Sequence, residues 1–134
     1  MPLKLEIVTP ESRIYSEMVD MVTLPGRAGE MGIYPNHVPL MTQVSAGEVL
    51  VRKGGQTQAL AIGEGFVEIT GERVAILTDM GIKADEIDEA KAEEARKKAE
   101  ARLQEKLSDE ESAAVSAALA HSLAQLKVKR RHRG

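Results

Sequence analysis

The sequence predicts a mainly β N-terminal part, a sandwich or barrel of short strands, joined to a C-terminal antiparallel pair of helices. Three observations carry this. Apolar residues alternate with period two from Leu3 to about Asp79, which is the signature of half-buried strands. Turn signals recur roughly every eight to twelve residues over the same stretch, a spacing that suits short strands in a sandwich or barrel. After Gly81, glycine and proline vanish until the final residue, and the chain becomes rich in Ala, Glu, Lys and Arg, which are helix formers.

The elements follow in order. Leu3, Leu5 and Ile7 alternate with Lys4 and Glu6 in a first strand. The segment GRAGEMGIYPNHVPLM, Gly26 to Met41, then places three glycines, two prolines and a histidine within sixteen positions. Gly26, Gly29 and Gly32 allow positive φ and close approach, while Pro35 and Pro39 fix φ and keep Tyr34 and Val38 extended, so the chain turns sharply between short strands. Val49 and Val51 alternate with Leu50 and Arg52, and Gly54-Gly55 between VLVRK and QTQALAI reads as a hairpin turn. Val74 to Leu77 is apolar on both faces, which predicts a strand in the middle of the packed layers. Asp85 is the expected cap of a first helix running to about Lys106, with Ile87, Ala92, Ala95, Ala99, Leu103 and Leu107 inward, and Glu93/Lys97 and Glu94/Lys98 paired outside. Ser108 and Glu111 form a capping box for a second helix burying Val115, Ala118, Leu119, Ser122 and Leu126. With no linker between them the two helices fold back as an antiparallel hairpin, and the expected division is 1–84 and 85–134.

Size and composition bound the function. At 134 residues and 43% hydrophobic, the chain can bury one core, or a small core plus an appended element. One Phe, two Tyr and no Trp leave no aromatic platform for stacking bases, which argues against nucleic acid as a partner. Cysteine is absent, excluding disulfides and thiolate metal sites. No apolar run reaches signal-peptide length or the ~18 residues of a membrane span, so membrane association is expected only through a partner. Net charge is −3, with 7 basic and 10 acidic residues before position 85 and 11 of each from there on. The later charges are segregated: Asp109, Glu110 and Glu111 lie together, whereas Lys127, Lys129, Arg130, Arg131 and Arg133 crowd the end.

Catalytic signatures are missing. There is no G-x-S-x-G, no H-E-x-x-H and no phosphate loop, and His37, His121 and His132 fall on separate elements. Gly63-x-Gly65 precedes a strand rather than the helix a dinucleotide fingerprint needs, and Glu110/Glu111 sit where a helix N-terminus favours acids. No metal site and no resident cofactor are expected, and the chain reads as a non-enzyme.

A magnitude bears on the hairpin. A buried alanine methyl contributes about 0.8 kcal/mol against about 1.5–3 for a leucine side chain, and the facing surfaces are mostly alanine. Two readings are open: a permanently docked hairpin, and a two-state element that detaches to reach a partner.

IVTPE (Ile7 to Glu11), GEMGIYPNHVPLM (Gly29 to Met41) and IGEGFVEIT (Ile62 to Thr70) closely resemble the small ε subunits of F-type ATP synthases, and the likeness covers the whole chain. The resemblance implies a sandwich of about ten strands followed by a helix-turn-helix. It implies that the sandwich grips the rotating γ subunit and rests on the c-subunit ring, with Ala28, Gly29, Glu30, Met31, Gly32 and Ile33 as the ring-facing loop and Glu30 exposed. His37 beside it is either a contact or a turn histidine bonded to nearby backbone. In this family the hairpin can extend along γ toward the α and β subunits and block ATP hydrolysis. The cations Lys127, Lys129, Arg130, Arg131 and Arg133 would then meet an acidic motif on β, or else form a solvated tail. Some bacterial members bind ATP in the folded hairpin through [Ile/Leu]-Asp-x-x-Arg-Ala and second-helix arginines. Here Ile87, Asp88 and Ala92 match, but Lys91 replaces the arginine, and His121 and Gln125 stand where arginines would fall. Lysine lacks the guanidinium fork, so ATP binding is expected to be weak at best. The resemblance implies a peripheral location on the cytoplasmic face of a bacterial plasma membrane, a plastid thylakoid being the alternative.

Overall fold

The computed structural model describes residues 3–132. Ten strands come first: β1 (Leu3–Val8), β2 (Arg13–Val19), β3 (Met21–Gly26), β4 (Gly29–Ile33), β5 (Leu40–Val44), β6 (Gly47–Lys53), β7 (Gln56–Ile62), β8 (Gly65–Ile69), β9 (Arg73–Thr78) and β10 (Gly81–Lys83). A single 3-10 turn (Ala84–Glu86) leads to α1 (Glu89–Arg102) and α2 (Asp109–His132). The strands form two groups of five. One runs β10-β7-β6-β3 with β4 on the other side of β3, the second runs β5-β8-β9-β1-β2, and a lone pair, Gly26 opposite Val44, joins them. Every pairing is antiparallel except β1 with β9. The expected mainly β sandwich and two-helix hairpin are therefore both present.

The period-two pattern places one face of each strand inward. Leu3, Leu5 and Ile7 of β1 meet Val22 and Leu24 of β3, Ile33 of β4, Val49 and Val51 of β6, Leu60 and Ile62 of β7 and Val74 and Ile76 of β9 in one buried cluster. Each fully buried aliphatic side chain contributes about 1.5–3 kcal/mol, and among the described residues the cluster contains none beyond Ile76. Residues 1–84 thus hold the whole sandwich core. The β6–β7 hairpin turns at Gly54 and Gly55, with φ of 58° and 81°, a left-handed pair that L side chains resist. The expectation for Val74 to Leu77 holds from Val74 to Ile76, where both faces are buried, and fails at Leu77. β9 does lie between β8 and β1, but Leu77 is 55% exposed because the helices cover β6 and β7 rather than this part of the sheet.

The helices depart from the expected detail for physical reasons. Asp88, not Asp85, caps α1 by accepting a 3.1 Å hydrogen bond from the Lys91 backbone N–H. Ile87 just before it is extended and buried with Ala59, Ala61, Ala124 and Val128, and this anchor delays the helix start. α1 ends at Arg102 rather than Lys106, and its inward face is narrower than expected. Ala92 and Ala99 are buried, Leu103 and Leu107 are half-buried, and Ala95 is exposed, because α1 packs chiefly on one neighbour, α2. Glu94 pairs with Lys98 at 3.3 Å as expected, but Glu93 turns to Arg96 and Arg130 instead of Lys97. The Ser108/Glu111 capping box forms, with the Glu111 N–H donating to Ser108 Oγ at 3.1 Å and the Ser108 N–H to Glu111 Oε1 at 3.3 Å.

α2 buries two stripes on opposite sides. Ser122 and Leu126, with Val115 and Leu119 half-buried, form the expected stripe; Ala118 proves exposed. Ala124 and Val128, about 200° around the helix at 100° per residue, form a second stripe on the sandwich. α2 is consequently the middle layer between α1 and the β6–β7 face.

Candidate functional site

Two regions carry the candidate residues. The first is the glycine-rich segment. Arg27 and Ala28 turn the chain from β3 into β4, and Ala28, Gly29, Glu30 and Gly32 are exposed. Gly26 is required by close approach, since an added Cβ would lie 2.7 Å from Gly29 O and 2.8 Å from Met31 Sδ. Of the six loop residues expected to contact a ring, Ile33 is fully buried and Met31 packs partly against the core, so those two side chains brace the hairpin from within. His37 Nδ1 lies 2.6 Å from Val38 O, where the ring donates to backbone, and Asn36 supplies a left-handed turn residue at φ 68°. Next to this segment the outer face of β5, β8 and β9 exposes apolar side chains among polar ones: Met41 is 66% exposed and lies opposite Glu68, and Phe66, 53% exposed, lies between Gln43 and Leu77.

The second region is the junction of α2 with the sandwich. Its floor is Leu50 of β6, Ala59 and Ala61 of β7 and Ile82 of β10, met by Ala124 and Val128. Charged contacts flank it. His121 Nε2 lies 3.0 Å from Asp79 Oδ1, Arg131 Nη1 3.0 Å from Glu48 Oε1, and His132 Nε2 2.6 Å from Glu48 Oε2. Arg130 reaches back to α1, donating to Glu89 at 3.0 Å and to Glu93 at 2.8 Å, and Lys129 Nζ lies 3.4 Å from Ala84 O. Hydrogen bonds from Arg96 first and Arg130 second hold the Glu93 carboxyl down at about 2. Of the expected basic end, Lys127 is exposed and Lys129, Arg130 and Arg131 are engaged within the chain, while Arg133 lies outside the described residues.

The candidate ATP residues do not converge. Ile87 is a buried anchor, Asp88 a helix cap and Ala92 part of the helix–helix contact, leaving Lys91 exposed. His121 faces Asp79 from the middle of α2, nine residues from Arg130 or about 13.5 Å along the axis at 1.5 Å per residue, and Gln125 is half-buried. Sequence reasoning missed the acids that receive the cations, Glu48, Asp79 and Glu89. A signal for Glu48 exists: it shares the Leu50 face of β6, opposite Ala61, where an otherwise apolar surface carries a carboxylate. Among the described residues no group of His, Asp and Glu could hold a metal ion, and no helix is long and apolar enough to cross a membrane.

Comparison with known proteins places this architecture. Residues 2–84 match the family model "ATP synthase, Delta/Epsilon chain, beta-sandwich domain" and residues 85–130 its "long alpha-helix domain". The chain is 44% identical over 133 residues to an ATP synthase epsilon chain of Chloroflexus aggregans, covering 99% of this chain and 96% of that one. It is 43% identical over 132 residues to the epsilon chain of Dehalococcoides mccartyi, covering 98% and 94%. Its fold superposes with a TM-score of 0.76 and 25% identity on a chain of the Euglena gracilis mitochondrial ATP synthase, in an OSCP/F1/c-ring assembly, covering 94% of this chain and 79% of that one. Sandwich, hairpin and full-length similarity agree, and the chain belongs to the ATP synthase delta/epsilon chain family.

Proposed function

We propose that this chain is a non-catalytic subunit of the central stalk of an F-type ATP synthase, coupling ring rotation to the catalytic head and restraining ATP hydrolysis through its C-terminal helices. The sandwich is the rigid part. Its exposed apolar side chains Met41, Phe66 and Leu77 suit a permanent hold on a γ subunit, and the exposed turn at Ala28 to Gly32 suits contact with a c-subunit ring. Such a subunit works peripherally on the cytoplasmic face of the membrane, carried there by its partners.

The observation that carries the inhibitory part is the junction under α2. Three of its five buried residues are alanines, 59, 61 and 124, beside Ile87 and Val128, with Leu50, Met80, Ile82 and Ala84 partly buried against them and ion pairs at the edges. At about 0.8 kcal/mol per alanine methyl, such a contact can be exchanged for another without unfolding the sandwich. On release, the cations of Lys127 to Arg131 become available to acidic groups on the α and β subunits. The test is ATP hydrolysis by a catalytic head stripped of its own ε-type subunit, with the full chain or residues 1–84 added back. Inhibition by the full chain alone supports the reading; equal behaviour makes the chain a coupling module with a helical clasp.

ATP is proposed to bind this chain weakly or not at all. Arg130 is already engaged by Glu89 and Glu93, and His121 faces Asp79, so the folded hairpin presents no cluster of guanidinium forks to phosphates. Calorimetry giving an affinity of ~10 μM or tighter would overturn this.

A further inference from the structure

Glu48 stands out in the surface that receives α2. It lies on β6 opposite Ala61, on the same strand face as Leu50, among the alanine and aliphatic residues that Ala124 and Val128 cover. Its side chain is only 7% exposed, and both carboxylate oxygens are occupied from the last turn of α2, Oε1 by Arg131 and Oε2 by His132. Those donors are themselves far more open, Arg131 at 57%. The geometry is one-sided: the docked hairpin removes a carboxylate from water, and among the described residues only the end of that same hairpin replaces the lost solvation.

We propose that Glu48 makes docking of the hairpin conditional on its own basic end, so that an acidic surface which captures Arg131 and His132 also expels the hairpin from the sandwich. This rests on the reading of the hairpin as a releasable inhibitory element and supplies its coupling. An external acidic surface that draws Arg131 and His132 away from β6 leaves Glu48 buried without those partners until α2 lifts away. Because binding and docking compete for one pair of groups, the linkage is reciprocal: whatever strengthens docking weakens capture by the same factor. The contact spans 83 residues of chain, so it forms only in the docked state and is a property of that state alone.

Amide hydrogen exchange of the isolated full chain tests this, read over residues 119–126, more than one turn from the altered end. Arg131→Ala with His132→Ala leaves Glu48 unpaired beneath α2, and exchange there is expected to quicken at least tenfold, equivalent to about 1.4 kcal/mol of lost docking. Adding Glu48→Gln to that pair removes the buried charge, and exchange is expected to return to within about threefold of the original chain. Fraying of the helix end would not be rescued by a change on β6. Unchanged exchange in the double variant, or no recovery on adding Glu48→Gln, overturns the proposal. These measurements contain no ATP synthase; a chain that passes them yet fails to inhibit hydrolysis retains the coupling and loses the inhibitory reading instead.

Discussion

Replacing Val128 by alanine should loosen the hairpin while leaving the sandwich intact. Val128 is fully buried against Ala59, Ala61, Ala124 and Ile87, and the change deletes two methyl groups, about 1.6 kcal/mol at 0.8 each. A cavity term adds to this, because Ala59 and Ala61 are fixed to paired strands and have no long side chain to swing into the gap. The total is about 2 kcal/mol, which raises the undocked population about thirtyfold at 1.4 kcal/mol per factor of ten. Val128 is not part of the sandwich cluster, so the loss should be local. Hydrogen exchange resolved by segment is the assay: α2 between Leu119 and Val128 should exchange about thirtyfold faster, with β1 and β9 unchanged. Acceleration below about threefold, or equal loss of protection in β1 and β9, would refute the idea of an apolar-docked, separable hairpin.

Three further outcomes are expected. Ser108→Ala removes the oxygen that accepts the Glu111 N–H and should lower helix stability by about 1 kcal/mol, seen as faster exchange over the first turns of α2. Glu93 is held at about 2 against its ordinary 4.5, so its contribution to the hairpin is complete above about pH 4.5 and is lost as pH falls toward 2. An acid titration of far-ultraviolet ellipticity should therefore show a loss of helix in that window that is smaller in Glu93→Gln; equal losses would count against the Arg96 and Arg130 contacts. Gly65→Ala would put a Cβ 1.8 Å from Leu77 O, a backbone atom of β9, so the β8–β9 pair must separate. A destabilisation above about 3 kcal/mol is expected, measured as a fall in the denaturant midpoint.

Local information in the sequence determined the elements and their class. Alternation at Leu3, Leu5 and Ile7 and at Val49 and Val51 names the buried face of a strand from neighbours two positions apart, and the pair Gly54-Gly55 names a turn. The Ser108/Glu111 capping box is likewise a three-residue relation, and it forms as written. The crowding of cations after Leu126 and the glycine-rich segment at 26–41 are legible in the sequence as candidate regions. Tertiary structure decided what those elements touch. The 3.6-residue period of α2 shows a single stripe in the sequence, because its second stripe, Ala124 and Val128, is defined only by the sheet beneath it. The start of α1 depended on where Ile87 could be buried, the exposure of Leu77 on which face the helices left open, and the partners of Arg131 and His121 on strands far away in sequence. Periodicity and caps are written in neighbouring residues, whereas the acceptor of a charge is chosen by packing, and only the folded chain brings Glu48 under the end of α2.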